Sequence, residues 1–205
     1  MIRNNLKILG ISIDGIIRDF ISQFIKIYKE QIGDPPKQPL NSYKLEEHFK
    51  FNGGIEEMNY FLYLENPLEI FGHANEQSFN VMNDIHKLNE KLKEHNCIIK
   101  LISKELGKSK PATLFFLSKI GCQIENIQFV LKEEEKWDYC DILLDVNPFS
   151  LKSKPDNKIS IKFDTIYNKD VDSNYVIDDI KVLLEDNEFL NEIINYEFVN
   201  YEEIK

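Results

Sequence analysis

Hydrophobic positions along the chain fall into two alternating rhythms. Residues 6 to 13 read Leu-Lys-Ile-Leu-Gly-Ile-Ser-Ile, a short and nearly continuous apolar run rich in β-branched side chains. Such a run predicts a buried central strand of a parallel sheet. Asp14-Gly15 breaks it, and from residue 16 to 32 the apolar positions Ile17, Phe20, Ile21, Phe24, Ile25 and Tyr28 recur at helical spacing. Gly33-Asp34-Pro35-Pro36 ends that helix and starts a loop. Between about 40 and 76 the pattern is irregular and rich in aromatics, which predicts short helices in an insertion beside the core. Residues 75 to 95 predict a stronger helix, with Phe79, Met82, Ile85, Leu88 and Leu92 on one face.

Strand and helix signals alternate from there on. Strands are expected at 97–102, 127–131, 142–144 and 160–163. Helices are expected at 111–120, where Pro111 sits in the first turn and Gly121 ends the segment, and at 175–184 and 188–194. The alternation predicts an α/β domain: a Rossmann-like parallel sheet with helices on both faces. The expected division is a core of residues 1–33 and 96–195, a small helical insertion of residues 34–95, and a C-terminal arm or tail of residues 196–205. In such sheets ligands bind at the carboxyl ends of the strands, so candidate chemistry belongs there.

Composition narrows the function classes. The chain has 205 residues, 42% of them hydrophobic, enough for a sizeable core. Its formal net charge is −10, and Arg3 and Arg18 are the only arginines. That balance speaks against a broad nucleic-acid-binding face, which needs clustered cations to displace counterions from phosphates. Cys97, Cys122 and Cys140 are odd in number and widely spaced, which predicts buried free thiols in a reducing compartment. His48, His73, His86 and His95 lack metal-ligand spacing, and the acidic run 133–135 reads as a solvated loop or helix face. No apolar run reaches membrane-spanning length, and Asp14 and Arg18 interrupt the early apolar segment where a signal peptide would be continuous. A cytoplasmic or virion location is expected.

The end of the first strand, Ser12-Ile13-Asp14-Gly15-Ile16-Ile17-Arg18-Asp19-Phe20, resembles the opening motif of the haloacid-dehalogenase-like (HAD-like) superfamily, closest to its 5'(3')-deoxyribonucleotidase branch. Leu101-Ile102-Ser103 is similar to the second motif. Lys108 and Lys110 are candidates for the third-motif lysine, with Lys110-Pro111 preferred. The segment from Asp141 to Pro148, Asp-Ile-Leu-Leu-Asp-Val-Asn-Pro, is similar to the fourth. The segment from Ile161 to Asn168 also resembles the stretch that follows the fourth motif in that branch. The resemblance implies a HAD-like core with a cap insertion. It also implies an aspartyl-phosphate mechanism: a nucleophilic aspartate, an acid two residues later, a Ser/Thr and a lysine that hold phosphoryl oxygens, and Mg²⁺ held by carboxylates.

Carried over position by position, the chain keeps Asp14, Ser103, Lys110 and Asp145. Ser12 stands where the nucleophile belongs, and Val146 replaces the second acid of the fourth motif. A serine hydroxyl is neutral and needs a general base. The expectation is therefore a catalytically inactive HAD-like domain, with Ser12, Asp14, Ser103 and Lys110 vestigial and no cofactor. If any metal site persists, it is a weak Mg²⁺ site at Asp14 and Asp145. Such a domain works as a structural or protein-interaction module, with a protein partner or a second copy, and the abundance of Asn, Ile and Lys, as in chains encoded by AT-rich genomes, fits a phage or virion component. Two other readings stand beside it: a Mg²⁺-dependent deoxyribonucleotidase with altered motifs, and a module that binds a nucleotide or phosphate without turnover. The aromatic insertion likewise admits two roles, a cap that stacks on a base or a packed core and interface of its own.

Overall fold

The computed structural model describes residues 6–37 and 39–196. Six parallel strands form one sheet in the order β3-β2-β1-β4-β5-β6. They are β1 (Lys7–Ser12), β2 (Cys97–Lys104), β3 (Ile127–Val130), β4 (Ile142–Asp145), β5 (Ile159–Phe163) and β6 (Tyr175–Ile177). The helices are α1 (Phe20–Gln31), α2 (Gly54–Tyr60), α3 (Val81–Lys93), α4 (Ser109–Lys119), α5 (Pro148–Lys152), α6 (Lys181–Glu185) and α7 (Asn187–Asn195). The expected α/β class and parallel sheet are observed.

β1 is central because it is apolar on both faces and pairs with β2 and β4, Ile11 lying opposite Leu101 on one side and Leu144 on the other. Gly10 makes the close packing there possible. A Cβ at Gly10 would come within 2.9 Å of Cys140 Cβ and of Ile102 Cδ1, so any side chain would push two core residues away. Asp19 caps α1 by accepting a hydrogen bond from the Ser22 N–H at 3.1 Å.

Two expectations about elements are corrected. The helix expected over 75–95 begins only at Val81, because Asn80 adopts a left-handed conformation (φ 62°) and breaks the turn. Phe79 then falls outside the helix and is 89% exposed, while Met82, Ile85, Leu88 and Leu92 are buried in the main core beneath the sheet. The helix expected over 175–184 starts as a strand: Tyr175-Val176-Ile177 pairs with Ile161–Phe163 and extends the sheet edge before α6 begins. Three residues that are aromatic or β-branched suit an edge strand, and the sheet's pairing decided a stretch whose periodicity was ambiguous. The arm expected over 196–205 lies outside the described residues beyond Tyr196.

The segment between α1 and α3 carries the 3-10 turn Leu45–Glu47, α2, and two π-helical turns at Phe61–Glu65 and Leu68–Gly72. Its aromatics build a second core with α1: Phe24, Tyr28, Phe49, Phe61 and Phe71 are buried together, Phe24 and Phe49 with ring centroids 4.2 Å apart. Cys97 and Cys140 are buried free thiols, and Cys122 is free and half-buried. Among the described residues no helix is long and apolar enough to cross a membrane.

Candidate functional site at the strand ends

β1, β2, β4 and β5 end beneath a cavity of about 670 Å³, roofed by the segment between α1 and α3. The volume is in the range of small-molecule sites. Four of the expected site residues gather at its floor: Asp14 follows β1, Ser103 lies near the end of β2, Asp145 ends β4, and Ser12 sits just beneath, 2% exposed. Lys110 does not join them. It sits in the first turn of α4 with its ammonium 4.9 Å from the Phe129 ring, because that turn faces β3 rather than the cavity.

The lysine at the floor is Lys136. Residues Glu134–Tyr139 form a 3-10 turn held on both sides: the carboxylate of Glu135 accepts from the Leu131 and Lys132 N–H groups, and Trp137 Nε1 donates to the Ser150 carbonyl at 2.7 Å. The turn aims Lys136 inward, 4% exposed. Its Nζ donates to Ser12 Oγ at 3.0 Å and to Asp145 Oδ2 at 2.8 Å, and lies 2.7 Å from Glu133 Oε2. Burial works to lower the Lys136 pKa, but Asp145 and Glu133 outweigh it and hold the amine above its ordinary value. Glu133 is thus part of the floor rather than of a solvated run.

A second buried cation stands behind Asp14. Arg18, 0% exposed, donates from Nε to Asp14 Oδ1 at 2.6 Å, and from Nη1 to Thr113 Oγ1 at 2.6 Å and the Phe71 carbonyl at 3.3 Å. Its Nη2 is 3.5 Å from Glu105 Oε1. Ser103 and Thr113 hydroxyls donate to the same Glu105 oxygen at 2.8 and 2.6 Å. Ser103 is therefore turned toward Glu105, and its proton is already committed there.

Val146, where the resemblance leads one to expect a second acid, packs on the turn after β1. Gly15 there has φ 79°, and a Cβ on it would meet Val146 Cγ2 at 2.7 Å. Glycine is required on both counts, conformation and space. Asp145 is filled: Oδ1 accepts from the Asn147 N–H at 2.9 Å, and Oδ2 accepts from Ser150 Oγ at 2.5 Å as well as from Lys136.

These donors do not fit the Mg²⁺ that the HAD-like resemblance implies. A divalent cation needs several free carboxylate or carbonyl oxygens converging on one point. Here an ammonium occupies Asp145, a guanidinium occupies Asp14 Oδ1, and Ser12 contributes a neutral hydroxyl. Among the described residues no group of three or more His, Cys, Asp or Glu side chains is placed to hold a metal. The histidines serve elsewhere: His48 Nε2 accepts from the Ser42 N–H, His86 Nε2 accepts from the Gln123 N–H, and the His73 ring packs on Phe115.

Lys136, Glu133, Arg18 and Glu105 were not legible as site residues. Lys136 does leave one signal, a charged residue beside the single tryptophan, since Trp137 is a natural anchor for a buried turn. Glu105 lies two residues after the second-motif serine, where only the fold reveals that it turns inward.

Comparison with known proteins agrees with this architecture. No family model matches the chain, and no curated protein matches it. Among solved structures it is similar to a haloacid dehalogenase-like hydrolase of Burkholderia xenovorans, with a TM-score of 0.54 and 10% identity over 90% of this chain and 98% of that one. It is also similar to a dehalogenase solved with an intermediate complex, with a TM-score of 0.50 and 9% identity over 87% of this chain and 95% of that one. At these identities the likeness establishes the fold: the chain has the α/β architecture of the HAD-like hydrolases.

Proposed function

We propose that this chain is a HAD-fold domain that has lost phosphoryl transfer, with degenerate motifs of the deoxyribonucleotidase type, and that it works as a non-catalytic module. One observation carries the reading: the only side chain that hydrogen-bonds Ser12 among the described residues is Lys136, a lysine kept as an ammonium. Serine chemistry requires a base to take the hydroxyl proton. A neutral amine could do so, but an ammonium set between Asp145 and Glu133 is a donor to Ser12 Oγ and cannot accept from it.

The remaining catalytic parts are also engaged. Asp14 is paired with Arg18, the Ser103 hydroxyl is bonded to Glu105, and Lys110 lies away from the cavity. Among the described residues the cations nearest Ser12 and Asp14, Lys136 and Arg18, are each held by two carboxylates, which leaves them poorly placed to balance a transferring phosphoryl group. The role left is binding or assembly, with a protein partner or a second copy of the chain.

The test is phosphate release from a panel of deoxyribonucleoside monophosphates with Mg²⁺, comparing the native chain with a Ser12→Asp, Val146→Asp double variant. Silence from the native chain is the expected result, and activity gained by the variant would show how much of the site survives. Turnover by the native chain that disappears on Asp14→Asn would replace this reading with an enzyme of altered motif.

A further inference from the structure

The cavity has a definite electrostatic character. Six acidic residues line it, Asp14, Asp19, Glu46, Glu133, Asp145 and Asp164, against three lysines, Lys44, Lys104 and Lys136. With Arg18 and its second partner Glu105 counted behind the lining, seven acids face four cations, an excess of three negative charges. Arg18 engages only Oδ1 of Asp14; Oδ2 has no partner among the described residues, and the side chain is 29% exposed. Asp164, exposed at the end of β5, makes no side-chain hydrogen bond or ion pair among the described residues either.

The walls are aromatic. Tyr43 forms a corner with Tyr167 and Phe149, ring centroids 5.6 and 6.3 Å away. Phe71 stacks with Phe20 at 5.3 Å and with Tyr63 at 5.6 Å on another wall. The tyrosine phenols feel both burial and the nearby carboxylates. Burial and the nearby Glu133, Asp145 and Asp14 push the Tyr43 phenol well above its ordinary value. Burial, partly offset by a hydrogen bond with Thr165 and reinforced by Asp145, Asp14 and Asp19, pushes the Tyr167 phenol up to about 12. Burial alone would oppose either sign of charge, but the carboxylates that add to it here repel an entering phosphate ester and attract a cation. An ammonium group would gain both from the unpaired carboxylate oxygens and from the faces of the rings.

From this we infer that the cavity takes an organic cation, an ammonium carried on an apolar or aromatic body, and not an anionic phosphate ester. The inference deepens the non-catalytic reading and rests on it, because it requires that the floor not serve phosphoryl transfer.

Calorimetric titration of the full chain with three probes of similar body tests it: tyramine (cation), 4-ethylphenol (neutral) and phenyl phosphate (anion). Tyramine is expected to bind at least about tenfold more tightly than 4-ethylphenol, and added salt is expected to weaken it, with no saturable heat from phenyl phosphate. Asp164→Asn, at an exposed position that does not endanger the fold, should weaken tyramine by about two- to fivefold and leave 4-ethylphenol unchanged within about twofold. Asp14→Asn should weaken tyramine further. Equal affinities for tyramine and 4-ethylphenol, tightest binding of phenyl phosphate, or no binding of any probe would each overturn the inference. Free phosphate is followed in the phenyl phosphate samples. Its release would sink the non-catalytic reading itself, whereas phenyl phosphate bound but intact would sink only the cation assignment.

Discussion

Arg18 and Lys136 are both buried cations set between two carboxylates, yet they face different parts of the molecule. Arg18 looks across the fold: its donors reach Asp14 after β1, Thr113 in α4 and the Phe71 carbonyl in the segment between α1 and α3, and its Cζ lies 4.9 Å from the centroid of the Phe71 ring. Lys136 looks along the floor, joining Ser12 under β1 to Asp145 at the end of β4 and to Glu133 in its own turn. The planar, many-pronged guanidinium ties three elements together, while the compact ammonium neutralises one spot. The difference separates two jobs at this floor: holding the insertion on the core, and setting the charge beneath the cavity.

The largest expected effect comes from breaking the first centre. Arg18→Met leaves Asp14 without its cation and Glu105 unpaired where water scarcely reaches, and should destabilise the protein by about 3–5 kcal/mol in urea unfolding. Hydrogen exchange should rise through residues 61–72 before it rises in the sheet. Equal loss of protection in both places would mean that Arg18 is not the bolt between them. Lys136→Met should cost somewhat less, about 2–4 kcal/mol, because Glu133 retains Lys104 at 3.8 Å and can turn toward water. In that variant the insertion should keep its native protection, and this contrast is the sharper half of the test.

A smaller effect is expected where the two centres meet, at the turn after β1. Gly15→Ala forces a Cβ against Val146 at a left-handed backbone position and should cost about 1–3 kcal/mol. Adding Val146→Ala removes the collision but not the strain, so the double variant should recover only part of that loss.

The smallest effect is on alkaline stability. Burial raises the thiols of Cys97 and Cys140 to about 11 and about 12 from an ordinary value of 9.0, and the Tyr167 phenol to about 12, chiefly by burial. For groups raised in the folded state, the stabilising contribution is complete below the unfolded value and is lost as pH climbs through the folded one. The urea midpoint should therefore hold up to about pH 9 and fall between there and about pH 12. Arg18 and Lys136, both held above their ordinary values by their carboxylates despite burial, keep their charge over the first part of that fall. A decline that begins well below pH 9 would mean that one of the two centres is weaker than its geometry indicates.

The sheet was legible in the sequence because buried parallel strands leave unbroken apolar runs, such as Leu6 to Ile13 and the stretch ending at Ser103. The edge was not. Tyr175-Val176-Ile177 carries no periodicity that distinguishes a short strand from the start of a helix, and pairing with β5 decides it. At the site, residues at or just after strand ends were found because the strands place them: Asp14, Ser103 and Asp145 line the floor and Ser12 lies just beneath it. Lys136 escaped because it comes from a turn between strands, and turns carry no periodic signal. Lys110 was preferred for its place before a helix, but the first turn of α4 presents it to Phe129. Lysine is abundant in this chain, so its occurrence beside a motif carried little weight until geometry showed which ammonium reached the carboxylates.

The most direct test of the central claim is a single-turnover reaction, with native protein in molar excess over a deoxyribonucleoside monophosphate and Mg²⁺ present. It reads both free phosphate and phosphate covalently held on the chain. Neither is expected above the level of a heat-unfolded control, because Ser12 faces an ammonium that cannot take its proton. Covalent phosphate located at Ser12, or a burst of free phosphate, would contradict it and make this serine a working nucleophile.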